Sequence, residues 1–498
     1  MPTYVLAKLR SAKLRSWWGE AESSRKRGRL QLGVGRLAAL FLLIGAAGPW
    51  FHGIVAGGEN AGQLSSPLSS PRVATFRCDV TPPIGGQPLI WLDTPETVED
   101  PLWAKGIVLE SGGQRYAVCA LDWCGLCNSS YALIRDALAA AIETSPENVF
   151  VHTVHQHTAP YIDGNAQRHM AAYPELPRYV DFAFLGRCEE SVASAARESL
   201  TRLVPFDRVG VGKAVVERAA SSRRVRDENG TLTVRYSSGG KDPKMRELPE
   251  GRIDPYLRTI TLARGDHPIV RLHFYATHPQ SFYGDRRVSA DVPGMARERL
   301  EKEEGVFQIY LTGCAGDVTL GKYNDGSREA RDAIALRLYE GMKAAVKATQ
   351  YGPADRFAWC SRPVVFPPRN DPGQTPEDLR RVLADTNVSP LNRTLAAVRL
   401  SFFDRKDQPF AVQGLRIGPA VALFLPGEAL LEFQEYAISL AGDRCFTAVA
   451  AYGDLGTGYI CYDAAFQEGG YEPTASRVAP GAEGILKEAI RSVMTAWQ

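Results

Sequence analysis

The chain has 498 residues, of which 45% are hydrophobic and 23% are charged. This composition is typical of a globular protein with a sizeable core, and it excludes a largely disordered or fibrous chain. The formal charge is +2, but residues 1–57 carry nine Lys and Arg against two acidic residues, and the rest carries 49 against 54, or −5. The body of the chain is therefore not expected to offer a nucleic-acid-binding surface.

Residues 1–57 have the layout of an export signal. A basic lead precedes an apolar stretch, and small residues follow, after which cleavage is expected. The alternative is a retained membrane anchor formed by residues 37–56, but the apolar part is short for a membrane span and Pro49 interrupts it. Residues 58–72, rich in Gly and Ser, then predict a linker. The expected location is periplasmic or extracellular.

Residues 73–498 predict one large domain, because no second linker of that quality follows. The body opens at Val73 with a predicted strand that a double proline closes. The other strands predicted, beyond the one described below, are 103–110, 115–121, 209–218, 269–276, 306–311, 421–425 and 446–451, and the longer helices are 130–143 and 183–203. Residues 353–410 are expected to be rich in loops, with one short helix near 375–384. Alternation of strands and helices indicates a layered α/β fold in which mixed β-sheets are flanked by helices.

The segment Trp123-Cys124-Gly125-Leu126-Cys127 has the form of a thioredoxin redox site. A redox role would also require the rest of a small thioredoxin fold, including a Pro-containing loop that faces the cysteines. A structural disulfide, or two packed thiols, is the favoured interpretation. The chain has nine cysteines, so at least one is expected to be free or intermolecular.

The stretch 149–160, VFVHTVHQHTAP, predicts a buried strand that ends in two histidines. Side chains alternate along a strand, so His155 and His157 are expected to face the same way and His152 the opposite way. A divalent metal on one imidazole and a proton-transfer group beside it would fit this pair, whereas His152 reads as a core residue. Zinc needs three or four ligands, so two histidines alone leave packing as an equal alternative.

Other polar residues follow later strands. His278 lies just after strand 269–276 and before a proline, whereas His273 is expected on the opposite face of that strand. The glycine-rich segment 313–319 could place backbone amides near an oxyanion, although a tight turn would also use glycines. Pro426-Gly427-Glu428 brings a carboxylate to another strand end, where it is a candidate metal ligand.

These motifs together resemble the neutral ceramidases, zinc amidases that split the N-acyl bond of ceramide. The family's Asp-Ile-Thr-type opening is similar to Asp79-Val80-Thr81, and its His-Thr-His-Ser-Gly-Pro motif is similar to His155-Gln156-His157-Thr158-Ala159-Pro160. Its Ile-His-Pro turn is similar to Thr277-His278-Pro279, and its Pro-Gly-Glu motif is the same as Pro426-Gly427-Glu428. Its Tyr-Ile-Thr-Thr motif is similar to Tyr459-Ile460-Cys461-Tyr462. The similar segments extend from residue 73 to about residue 475 in the family's order.

The resemblance implies a zinc ion held by His155, His278, Glu428 and Tyr459. It also places His157 and Arg223 near the scissile amide, the latter through a loose match to an Asn-Arg-Ser-Pro stretch; without the resemblance, the basic turn around Arg223 would read as a solvated loop. In the segment that ends Gly316-Asp317-Val318-Thr319, the family's serine is replaced by Thr319 and its following Pro-Asn is lost. The chain also stops soon after the tyrosine motif, without the family's immunoglobulin-like domain.

The sequence thus predicts an exported zinc-dependent hydrolase that cleaves an N-acyl amide with zinc-activated water. His157 would supply a proton to the departing amine, and Arg223 or the backbone of residues 316–319 would stabilise the oxyanion. Thr319 as a direct nucleophile ranks below the water route. The expected partner is a small-molecule or lipid amide, with association at a membrane surface as a further expectation. Alternatives are a zinc hydrolase of another amide or ester, and a noncatalytic lipid- or glycan-binding relative.

Overall fold

Three mixed β-sheets form the framework of the protein. The computed structural model describes residues 70–497, so the predicted export signal and nearly all of the predicted linker lie outside the described residues. The described residues form one compact unit. Among the described residues, no helix has both the length and the apolar character needed to cross a membrane.

Each sheet combines strands that are distant in the chain. From one edge to the other, the first sheet consists of Val149–Thr153, Gln114–Leu121, Trp103–Ser111, Arg72–Asp79 and Val204–Pro205. In the same spatial order, the second consists of Phe307–Thr312, His267–Tyr275, Tyr256–Arg264, Arg208–Val215 and Gln350–Pro353. The third consists of Phe357–Val364, Phe410–Ile417, Ala420–Phe424 and Phe446–Ala450. Short pairs of strands join Ser221–Ser222 to Val318–Thr319, Glu428–Ala429 to Tyr459–Ile460, Gly125–Leu126 to Tyr161–Ile162, Thr97–Val98 to Arg287–Val288 and Arg224–Arg226 to Leu232–Val234.

Helices cover and connect these sheets. Within residues 70–497 the α-helices are Asn128–Ala141, Gly164–Met170, Phe182–Ser199, Pro243–Glu247, Asp291–Glu304, Arg328–Lys347, Pro376–Ala384, Pro390–Phe403, Leu431–Ala441, Asp463–Glu468, Glu472–Ala475 and Ala482–Thr495. The prediction of a layered α/β fold with mixed sheets is confirmed. The expectation of a mostly loop-rich segment 353–410 is wrong, because it contains the strand Phe357–Val364 and the helix Pro390–Phe403.

The three sheets share one repeated unit. In each, an antiparallel hairpin is followed by a helix and then by a strand that pairs in parallel with the second hairpin strand. In the first sheet the hairpin turns at Gly112 and Gly113, whose φ values of 59° and 78° suit the two central positions of a type I′ turn. Parallel strands end at the same edge of their sheet, so the segments that follow them meet in space.

His152 joins the ends of the three parallel strands. Its Nδ1 donates to the carbonyl of Ala451 at 2.7 Å, and its Nε2 accepts from the N–H of Thr312 at 3.0 Å. The N–H of Thr153 also donates to the carbonyl of Tyr452 at 2.9 Å. Burial lowers the pKa of His152 to about 3, so the neutral ring is the form that fills this position. The structure accounts for His152 as a packing residue.

His152→Ala should destabilise the protein without removing any residue of the predicted site. The change leaves one buried N–H and one buried carbonyl unpaired, and each such group costs about 1–3 kcal/mol. We therefore expect the free energy of unfolding in urea to fall by about 2–6 kcal/mol. His169→Ala is the control, because His169 pairs with Asp404 at the surface and should cost less than about 1 kcal/mol. Equal losses in the two variants would contradict the role given to His152.

Candidate metal centre and active site

Each of the three sheets supplies a residue to one buried cluster. His155 follows the last strand of the first unit, and His278 follows the second hairpin strand of the second sheet. Glu428 follows the corresponding hairpin strand of the third sheet. All three side chains are buried. The fold therefore brings together three residues that the sequence separates by more than a hundred positions.

Three potential ligand atoms of this cluster point at one another. The Nε2 atoms of His155 and His278 are 2.9 Å apart. Oε2 of Glu428 lies 3.2 Å from Nε2 of His155 and 3.7 Å from Nε2 of His278. Ligand atoms on a tetrahedral zinc ion are about 3.3 Å apart, given zinc–ligand distances of about 2.0–2.1 Å. The spacing of these three atoms fits a zinc ion between them.

Backbone carbonyls set the orientation of both histidine rings. Nδ1 of His155 donates to the carbonyl of Cys124 at 2.5 Å, and Nδ1 of His278 donates to that of Ala315 at 3.0 Å. With the proton on Nδ1, each Nε2 presents a lone pair. Two lone pairs and a carboxylate repel one another at this distance unless a cation lies between them. Oε2 of Glu428, moreover, is buried and has no hydrogen-bond partner. The donors present therefore fit a bound metal ion.

Tyr459 and Arg223 lie beside this cluster. Glu428 and Tyr459 are partners in a short parallel strand pair, and the Tyr459 hydroxyl accepts from Nη1 of Arg223 at 3.0 Å. Burial raises the pKa of Tyr459 well above its usual range, and Arg223 acts in the opposite direction. Burial also opposes the ionisation of Glu428, but a hydrogen bond with Tyr459 and the charge of Arg223 favour the carboxylate, and its pKa lies below the ordinary value. Tyr459 is thus placed where it could become a fourth ligand, with Arg223 stabilising its anionic form.

His157 is the free imidazole of the site. Its ring centroid lies 5.1 Å from that of His155 and 5.4 Å from that of His278. Both of its nitrogens are buried and without a hydrogen-bond partner. Burial, with smaller contributions from His155 and Arg223, lowers its pKa well below the ordinary value. An unpaired neutral imidazole at this position can exchange a proton with a bound molecule.

The segment that contains Thr319 is next to the cluster but is largely engaged in the fold. The backbone of Thr319 pairs with that of His278 in an isolated parallel β-bridge. The hydroxyl oxygen of Thr319 accepts from the N–H of Gly321 at 3.1 Å. The N–H groups of Gly316 and Val318 donate to backbone carbonyls at 3.0 and 3.2 Å. Two of the expected backbone donors to an oxyanion are therefore already occupied. The Arg223 guanidinium is the better candidate for that role.

The cysteines of the thioredoxin-like segment are packed thiols. Cys124 and Cys127 are buried, and neither they nor the other seven cysteines, all within the described residues, form a disulfide. The structural-disulfide alternative is therefore wrong. Burial raises the pKa of both thiols, whereas redox catalysis needs a thiolate. Cys124, His155 and His157 form a second possible metal-binding group, but Nδ1 of His155 already donates to the Cys124 carbonyl.

Sequence reasoning missed Tyr452. Its hydroxyl lies 3.2 Å from Nδ1 of His278, and its ring centroid is 4.5 Å from that of His155. Tyr452 follows the strand Phe446–Ala450, so it occupies a position like that of the histidines after other strands. A polar aromatic residue just after a buried strand was the available signal. His155 and Tyr452 both have positive φ, at 75° and 59°, a strain that concentrates at functional sites.

The fold has counterparts among solved structures. No protein-family model matches the chain, and a search of curated proteins finds no match. The crystal structure of neutral ceramidase from Pseudomonas aeruginosa superposes with a TM-score of 0.64 at 15% identity, covering 86% of this chain and 74% of that chain. The chain has the neutral ceramidase fold.

A second solved structure agrees with this result. The structure described as ceramidase complexed with C2 has a TM-score of 0.63 at 14% identity and covers 86% of this chain and 75% of its own. The resemblance to neutral ceramidases inferred from short motifs is thus confirmed at the level of the fold. Identity this low establishes the fold alone, so the reaction must be argued from the residues.

Proposed function

We propose that this protein is a zinc-dependent hydrolase of N-acyl amides, similar in its reaction to the neutral ceramidases. The observation that carries the proposal is the convergence of the Nε2 atoms of His155 and His278 on the unpartnered Oε2 of Glu428. Two imidazoles and a carboxylate, with Tyr459 adjacent, form a nitrogen and oxygen donor set that zinc accepts. Zinc, when bound, would lower the pKa of coordinated water toward about 7 and polarise a substrate carbonyl.

The chain's own residues then have separate tasks. His157, with two unpaired nitrogens, would take up the proton that the attacking water loses and would pass it to the nitrogen of the departing amine. Arg223, held against Tyr459 and stacked on Tyr471 at 4.9 Å, would stabilise the negative charge that develops on the carbonyl oxygen. Thr319 as a nucleophile ranks lower, because its hydroxyl oxygen accepts a hydrogen bond within its own loop.

The proposed substrate is a lipid or small-molecule amide outside the cytoplasm. An amide substrate is supported by the match in fold, because one of the matched structures is a neutral ceramidase. The basic and apolar residues 1–57 support export, either as a cleaved signal or as an anchor at the membrane surface. A second candidate, cleavage of an ester, follows from the same donor set because zinc polarises both kinds of carbonyl.

Metal analysis together with a substrate panel tests the proposal. Purified tag-free protein should contain one zinc per chain and should hydrolyse N-acyl amides, and both properties should be lost after chelation and restored by added zinc. Hydrolysis of esters with no hydrolysis of any amide would favour the second candidate. One zinc per chain with no turnover of either class would support a noncatalytic binding protein. Activity that chelation leaves unchanged would contradict the proposal.

A further inference from the structure

The loop 89–93 forms a strained turn beside His157. Trp91 and Leu92 are consecutive non-glycine residues with φ values of 63° and 68°, a conformation that costs free energy and that surrounding contacts must hold. The N–H of Leu89 donates to the carbonyl of Asp93 at 2.8 Å and closes the turn. The N–H of Ile90 donates to the carbonyl of Ala159 at 3.1 Å, which attaches the turn to the segment after His157.

The turn places the aromatic ring of Trp91 beside the imidazole of His157. The Trp91 ring centroid is 5.1 Å from that of His157, with an interplanar angle of 59°. Trp91 also meets Tyr283 edge to face at 5.7 Å, and the Tyr283 hydroxyl forms a hydrogen bond with Ser238. Trp91 and Tyr283 together form an aromatic wall, and both are partly exposed, whereas His157 is nearly buried.

His157 lies between the predicted metal ligands and the aromatic wall. Its ring is 5.1 Å from that of His155 and equally far from that of Trp91. A general acid must come within about 2.6–3.2 Å of the atom that it protonates. In an amide that atom is the nitrogen, so the substituent on the nitrogen must lie next to His157. The acyl chain is attached to the carbonyl carbon and departs from the reacting centre in another direction.

We propose that Trp91 determines the specificity for the amine half of the substrate, and that the aromatic wall binds an apolar amine. The inference rests on the proposed function, because it assigns the amine side from the role of His157. Aromatic faces offer apolar contact area, and they also attract an ammonium group such as that of the released amine. Trp91 is a specificity residue in this scheme, and the protonation itself remains with His157.

Paired substrates that share an acyl group test this assignment. N-octanoyl octylamine and N-octanoyl glycine differ only in the amine half. In Trp91→Ala, the ratio of their kcat/KM values should fall on the order of 10- to 100-fold, the usual worth of a lost apolar contact. Trp91→Phe should retain most of the preference. Tyr351→Ala is the matched control, because it removes a partly exposed ring from an edge strand of the second sheet.

Binding of the products gives a readout that needs no turnover. By calorimetry, Trp91→Ala should bind octylamine about 10-fold more weakly than the unaltered protein, with the affinity for octanoate unchanged. Tyr283→Ala should act in the same direction if Trp91→Ala proves too unstable to purify. An unchanged octylamine affinity together with an unchanged substrate ratio, or a loss confined to octanoate, would overturn the inference. Weaker octylamine binding in a protein that hydrolyses nothing would refute the proposed reaction while keeping the amine site.

Discussion

His155→Ala and His278→Ala are each expected to reduce bound zinc from one ion per chain to almost none. The Nε2 atoms of the two rings are only 2.9 Å apart. Among the described residues, no other histidine ring is directed toward this cluster by a hydrogen bond to a backbone carbonyl. Loss of one ring leaves a single imidazole with the oxygens of Glu428 and Tyr459, a weaker donor set for zinc than the complete group of four. Plasma emission analysis of dialysed protein gives the stoichiometry directly.

His273→Ala is the matched control for this loss. His273 is as deeply buried, but its ring nitrogens pair with Thr259 at 2.8 Å and Gln308 at 2.7 Å. That variant should keep its zinc even if its stability declines. If the His155→Ala, His278→Ala double variant retained one zinc per chain, the assignment of the metal centre would fail. The group formed by Cys124 and His157 would then be the place to look for ligands.

His157→Ala is expected to keep zinc and fold but to lose on the order of 10² to 10⁴ in turnover of amides. His157 lies beside the two rings proposed to hold the metal, yet its nitrogens are unpaired, which separates the proposed proton transfer from ligation. The loss should be smaller for an activated aryl ester, because its leaving group departs without a proton. Comparing kcat for an amide and an aryl ester with the same acyl group isolates the protonation step.

Two results would change the role given to His157. If His157→Ala lost its zinc while His155→Ala retained it, the ligand and the proton donor would exchange places. If His157→Ala kept both zinc and full amide turnover, His157 would be part of the core. A deficit of the same size on amide and ester would indicate a general disturbance of the site. Circular dichroism and zinc content, measured on the same samples, separate these cases.

Short local patterns were enough to predict the residues that meet at the centre. His155, His278 and Glu428 each follow a buried strand, and strand ends can be recognised from apolar runs that stop at a proline or glycine. The expected strand alternation through the two histidines was wrong in detail. The strand ends at Thr153, and His155 has a φ of 75°, so the two histidines lie in an irregular segment. Their rings are nevertheless neighbours, because tertiary contacts hold that segment.

Long-range backbone contacts could not be predicted from the sequence. The carbonyls of Cys124 and Ala315 orient the two rings, and any residue type can offer a carbonyl. The strand Phe357–Val364 was missed because most of its side chains are half exposed and follow no simple alternation. Trp91 was missed for a related reason, since its left-handed backbone is imposed by contacts with the segment that follows His157.

The position of the centre at the meeting point of three repeated units affects how the protein folds. Each unit can pair its own hairpin and parallel strand locally, but His155 and His278 are 123 residues apart in the chain. Contacts of such high sequence separation require long loops to close and are slow to form. The cluster is complete only when all three units have docked. A metal ion that binds there would favour the docked arrangement over every partly assembled one, so that binding and completion of the fold become a single linked equilibrium.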